Sequence, residues 1–95
     1  MSRFKTRPGV VLTEICGEHV LVTARSVMRE CPFVTNVNEE SAFLWRKLKD
    51  GADEEELMRA VEEEYEVEDP AELREGIRAF IERMLEFKLI TEEQN

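Results

Sequence analysis

The stretch "FVTNVNEESAFLWRKLKDG", Phe33–Gly51, changes period in its middle, and that change decides the fold. In its first five residues, Phe33, Thr35 and Val37 fall on one face and Val34 and Asn36 on the other, the two-residue alternation of a strand. From Asn38 onward the pattern is helical. Asn38 can accept from the first free N–H groups, Glu39 and Glu40 suit the positive end of the helix dipole, and Lys47 and Lys49 suit its negative end before Asp50-Gly51 stops it. Phe43, Leu44 and Leu48, with Ala42 and Trp45 beside them, form a broad apolar stripe. An extended segment therefore runs directly into a capped helix. Pro32, which has no N–H to give to a ladder, places that strand at a start or an exposed edge.

Upstream, "VVLTEI" (Val10 to Ile15) and "VLVTA" (Val20 to Ala24) flank "CGEH", which reads as a β-hairpin. "RSVMREC" is ambiguous between loop and strand. Downstream, Asp53 and Glu56 have capping-box spacing and open a second helix to about Glu66, with Leu57, Met58, Ala60, Val61 and Tyr65 on its inner side. Asp69, Pro70 and Glu72 open a third, which runs to about Phe87. Leu73, Ile77, Phe80, Met84 and Phe87 line it, and Ile81 and Leu85 widen the stripe beyond what a small sheet needs. "KLI" is expected to return to the core and "TEEQN" to fray. The fold class is α+β and winged-helix-like: an N-terminal three-stranded antiparallel sheet followed by a three-helix bundle.

Ninety-five residues make a single domain, 1–95, with an ordered core of about 10–91. A chain of this size hides roughly 60 to 65% of its unfolded surface, enough for one modest core. The charged share of 37% beside a hydrophobic share of 42% describes a folded chain with a densely ionised surface. No apolar run reaches membrane-spanning length and the N-terminus lacks a signal-peptide core, so a cytoplasmic protein is expected. Cys16 and Cys31 are too few and too far apart for a disulfide framework or CxxC redox chemistry, and read as reduced, partly buried thiols. Residues 1–49 sum to +3 and residues 50–95 to −12. An overall charge of −9 repels phosphate and argues against nucleic acid.

No catalytic constellation stands out. Cys16 and His19 share a tight turn and could form a Cys-His pair or half of a metal site, but without further ligands the plainer reading is a solvent-facing turn. The acidic runs 53–56 and 62–64 lack the alternating ligands and central Gly of a calcium loop and read as solvated helix faces. A winged-helix transcriptional regulator is the alternative. It requires a groove-reading helix, yet Asp53 to Glu66 carries eight acids against Arg59. Neither an enzyme, a cofactor nor a metal is expected.

What remains is a peptide surface. An edge strand leaves backbone donors and acceptors open, and an extended peptide can satisfy them by adding a strand. The surplus width of the third helix could line side-chain pockets, with adaptable Met84 the foremost candidate, although Ile81, Met84 and Leu85 can equally complete the core. The same edge can also pair two copies of the chain.

The segments "VLTEICGEHVLV", "NVNEESAFLWRKLKDG", "EEELMRAVEEEYEVE" and "FIERMLEFKLI" resemble the PqqD-like family, the precursor-peptide recognition elements of ribosomal peptide-modification pathways. Asn38, Ala42, Trp45, Leu48, Asp50 and Gly51 fall on the family's middle motif. Tyr65 and Val67 fall on the next, and Phe80, Ile81, Met84, Leu89 and Ile90 on the last. The resemblance covers about residues 10–91. Four positions depart from it: Val37 replaces Leu, Glu40-Ser41 replaces Thr-Gly, and Lys88 stands where Gly is common.

The resemblance implies a protein without catalysis. It would hold the leader segment of a precursor peptide against the third strand, beside the third helix, and present it to a modifying enzyme, often a radical SAM enzyme. On this chain the strand is Phe33, Val34, Thr35, Asn36 and Val37, and the pockets come from Ile77, Ile81, Met84 and Leu85. Arg25, Arg29, Arg74 and Arg78 are candidates to meet acidic leader residues, with ordinary surface ion pairs as their alternative role.

Overall fold

The structure is a computed structural model that describes residues 2–23 and 34–94. Among the described residues, two small antiparallel sheets and three helices enclose one core. The first sheet has the order β2 (Val10–Ile15), β3 (Glu18–Thr23), β4 (Val34–Val37). Its hairpin closes through Cys16 and Gly17, both at positive φ (53° and 80°), the two-residue geometry whose twist matches that of the flanking strands. Cys16 is exposed there with a free thiol, which corrects the expectation of a partly buried one. Cys31, Arg25, Arg29 and Phe33 lie outside the described residues.

β4 pairs with β3 in the register His19↔Val37 to Val22↔Val34. It then passes through Asn38 into α1 (Glu39–Leu48), where the Asn38 side chain accepts from Ser41 N–H at 2.7 Å. α2 (Glu54–Glu64) starts with the full capping box: Asp53 accepts from Glu56 N–H at 2.8 Å, and Glu56 accepts from Asp53 N–H at 3.3 Å. α3 (Pro70–Glu86) starts at Asp69, whose carboxylate accepts from Ala71 and Glu72 N–H. The three helix starts thus follow from the polar residues that precede each apolar run.

The second sheet has no counterpart in the sequence reading. β1 (Ser2–Thr6) lies between β5 (Ala52–Asp53) and β6 (Ile90–Gln94). Thr91–Gln94, read as a frayed end, is instead paired with β1, with Arg3 opposite Glu93. These strands are short and largely polar, and their pairing joins the two ends of the chain, so no local period announces them. They are anchored by Phe4, Ala52, Leu89 and Ile90, all buried. Arg3 adds an ion pair to Glu56 and a 3.1 Å hydrogen bond to Gly51 O, tying the sheet to the start of α2.

The core draws Leu21 from the first sheet, Leu44, Trp45 and Leu48 from α1, Leu57, Met58 and Val61 from α2, and Ile77, Phe80, Ile81 and Met84 from α3. Leu21, Leu48, Leu57, Ile77 and Leu89 are fully enclosed, each worth about 1.5–3 kcal/mol of burial. At its far end α3 closes with Lys88 N–H on Leu85 O and Leu89 N–H on Met84 O. This is the paired closure usually built on Gly, here made by Lys88 at φ 59°.

Candidate functional site

β4 is the outer strand of its sheet: among the described residues its one strand neighbour is β3. Beyond its other edge lies α3, and between them a cleft of about 380 Å³ opens. Its strand wall is Asn36, Val37 and Asn38, with Ser41 from the first turn of α1. Its helix wall is Gly76, Ala79, Phe80, Arg83 and Met84. The helix wall follows from sequence spacing. Positions 76, 79, 80, 83 and 84 recur at three and four residues and share one side of the helix. Two of them are Gly and Ala, which keep α3 from filling the gap. A Cβ built on Gly76 would meet nothing within 4 Å. Phe80 and Met84 are buried and form an apolar floor, while Arg83 stands exposed at the mouth.

The residues singled out in the sequence divide into three groups. Val37, Asn36 and Met84 line the cleft, with the backbone of Val34 and Thr35 continuing the strand. Asn36 also donates to Glu18 Oε2 at 2.7 Å, bracing β4 against β3. Ile77 and Ile81 are core residues at 1% and 5% exposure, and Leu85 is half-buried against the same core. Arg74 and Arg78 point to α2. Arg74 Nη1 lies 2.7 Å from Glu55 and 3.6 Å from Glu54, and Arg78 Nε lies 2.5 Å from Glu54. The hydrogen bond from Arg74, reinforced by its charge, holds the Glu55 carboxyl below its ordinary range, and Glu55 correspondingly raises Arg74. Among the described residues, the cation on the cleft is Arg83.

Asn38, Ser41, Gly76, Ala79, Phe80 and Arg83 are the lining residues that the sequence reading did not assign to the site. Gly76 carried a signal, since an uncapped glycine inside a long helix costs about 1 kcal/mol relative to alanine and calls for a reason. Cys16 and His19 converge with no third His, Cys, Asp or Glu into a metal-holding group among the described residues. No helix is long and apolar enough to cross a membrane among the described residues.

The family profile described as coenzyme PQQ synthesis protein D (PqqD) matches residues 18–90, which contain both walls of the cleft. The chain belongs to the PqqD family. Two solved structures share the fold of this PqqD-family protein. One, described as TbiB1 in complex with the TbiA(beta) leader peptide, is 23% identical, with a TM-score of 0.71 over 90% of this chain and 93% of that one. The other, a lasso peptide synthetase B1 complexed with the leader peptide, is 22% identical, with a TM-score of 0.71 over 93% of this chain and 96% of that one. No curated protein matches the chain in sequence.

Proposed function

We propose that this PqqD-family protein binds the leader segment of a ribosomally made precursor peptide in the β4–α3 cleft and presents it to a peptide-modifying enzyme, such as a radical SAM enzyme. The observation that carries the reading is the pairing of an edge strand with an open, small-residue helix face. A guest strand added to β4 gains main-chain hydrogen bonds, and its alternate side chains reach the Phe80 and Met84 floor. The leader complexes of two proteins with this fold support the same occupant.

In this reading the leader pairs with Phe33, Val34, Thr35, Asn36 and Val37, and Met84 supplies the adaptable pocket. Ile77, Ile81 and Leu85 hold the helix in place from behind. Arg83 is better placed than Arg74 or Arg78 to meet a leader carboxylate, because those two already face Glu54 and Glu55. The protein contributes affinity and orientation, and the chemistry belongs to its partner enzyme. The test is to titrate the isotope-labelled protein with the leader half of a short precursor encoded in a neighbouring reading frame while following backbone amide shifts. Changes centred on residues 34–38 and 76–84 are expected. Changes confined to the outer face of α2 would overturn the assignment.

A further inference from the structure

The cleft does not end at Gly76. The same glycine lines a second and larger cavity, about 730 Å³, at the junction of the three helices. Its rim carries Glu39 and Glu40 from α1, Glu66 and Glu68 from the connection after α2, and Asp69 and Glu72 from the start of α3. Among the described residues no Lys or Arg lines it. Its floor is apolar: Val61 is buried, Val67 and Leu73 are half-buried, and Tyr65 is 41% exposed. The Tyr65 ring is held edge-on against Phe43, with centroids 5.3 Å apart.

Four of the six carboxylates have an ordinary role at helix starts, where they cap or complement the dipole. Glu66 and Glu68 have none, since they sit in the connection between α2 and α3. A concave site with an apolar floor and charges of one sign concentrates its field, and one that is negative favours a cation. Lys and Arg suit both parts, with aliphatic stems for the floor, a charged head for the rim, and the Tyr65 ring as a further cation partner. The cavity also adjoins the cleft: Gly76 lines both, and Glu39 on its rim directly follows Asn38 on the cleft's strand wall. An extended guest advances about 3.3 Å per residue and passes from one site to the other within a few residues.

We infer that the precursor segment docked on β4 carries a basic stretch, Lys or Arg interleaved with apolar residues, that occupies this acidic cavity. The inference rests on the cleft being the peptide site, and it gives the guest, beyond the part that faces Arg83, a charge sign opposite to the one that Arg74 and Arg78 suggested in sequence.

The test uses a displayed library of random 20-residue peptides selected on the full chain at low salt. Selected peptides are then titrated against the isotope-labelled wild type and against the triple variant Glu40→Gln, Glu66→Gln, Glu68→Gln, three exposed positions whose replacement leaves the fold intact in the free amide spectrum. Lys and Arg are expected to be enriched beside an apolar strand segment, amides of both cavities to move together, and affinity to fall about tenfold on the variant. Peptides that move β4 and α3 without any Lys or Arg excess, or that bind the variant as tightly, overturn the basic stretch and leave the cleft standing. Peptides that leave β4 and α3 unmoved, or a selection that yields no binder, overturn the cleft itself.

Discussion

The two long sides of α3 are built on opposite plans. Toward α2 it is closed by charge: Arg74 and Arg78 bridge to Glu54 and Glu55 across a well-packed helix pair. Toward β4 it is left open, with Gly76 and Ala79 where larger residues would have filled the space. Both sides rest on the same buried row, Ile77, Phe80, Ile81 and Met84. The difference shows how a small domain can keep a docking edge without losing its core. Its permanent contacts are made on one side, and in the proposed reading an incoming strand completes the other.

Perturbing the shared row should have the largest effect. Ile77→Ala removes a side chain that is 1% exposed and is expected to cost about 3 kcal/mol of stability, read as a lower denaturant midpoint with the slope unchanged. Filling the open side should separate binding from folding. Gly76→Trp places a bulky ring where the two cavities meet and is expected to weaken leader binding on the order of 100-fold, the effect of losing one hot spot, while the far-ultraviolet spectrum stays native. Gly76→Ala is the contrasting control, since nothing lies within 4 Å of its Cβ. It should stabilise α3 by about 0.5–1 kcal/mol in chemical denaturation and leave binding near wild type.

The closed side should give the smallest effects. Arg78→Ala breaks an exposed pair and should change stability by less than about 0.5 kcal/mol, with leader affinity unaltered. For Glu55 the sign follows from its lowered folded-state pKa. Its pair with Arg74 supports the fold above the ordinary glutamate range and fades as pH drops through the depressed folded value. Glu55→Gln should therefore flatten the acid limb of a stability profile and leave stability above pH 7 insensitive to pH.

The helices were legible because each is announced locally. Asn38, Asp53 and Asp69 accept from the backbone groups that their spacing predicted. The hairpin was legible from its turn and β4 from alternation. The sheet of β1, β5 and β6 was not, because Arg3, Lys5, Glu92 and Glu93 leave its strands without a marked apolar pattern and their partners lie nearly the whole chain length apart. At the site, the strand wall was legible and most of the helix wall was not. Helical spacing alone cannot tell the open side of a helix from the inner one, so Ile77 and Ile81 were assigned to the pockets together with Met84, which only its adaptable side chain set apart. Arg74 and Arg78 could be assigned only once α2 supplied Glu54 and Glu55 as partners. Lys88, at a position where Gly is common, closes α3 in the usual way but at φ 59°. Lys88→Gly should gain about 1 kcal/mol in thermal or denaturant unfolding.

The central claim is that a guest strand joins the outer edge of β4. Amide hydrogen exchange of the protein, free and saturated with the leader, tests it most directly. Strand addition predicts that alternate amides within Val34–Val37 exchange markedly more slowly in the complex, together with those of α3 around Gly76–Met84, while α2 is unchanged. Undiminished exchange along β4 in a saturated complex, with protection appearing elsewhere, would contradict it.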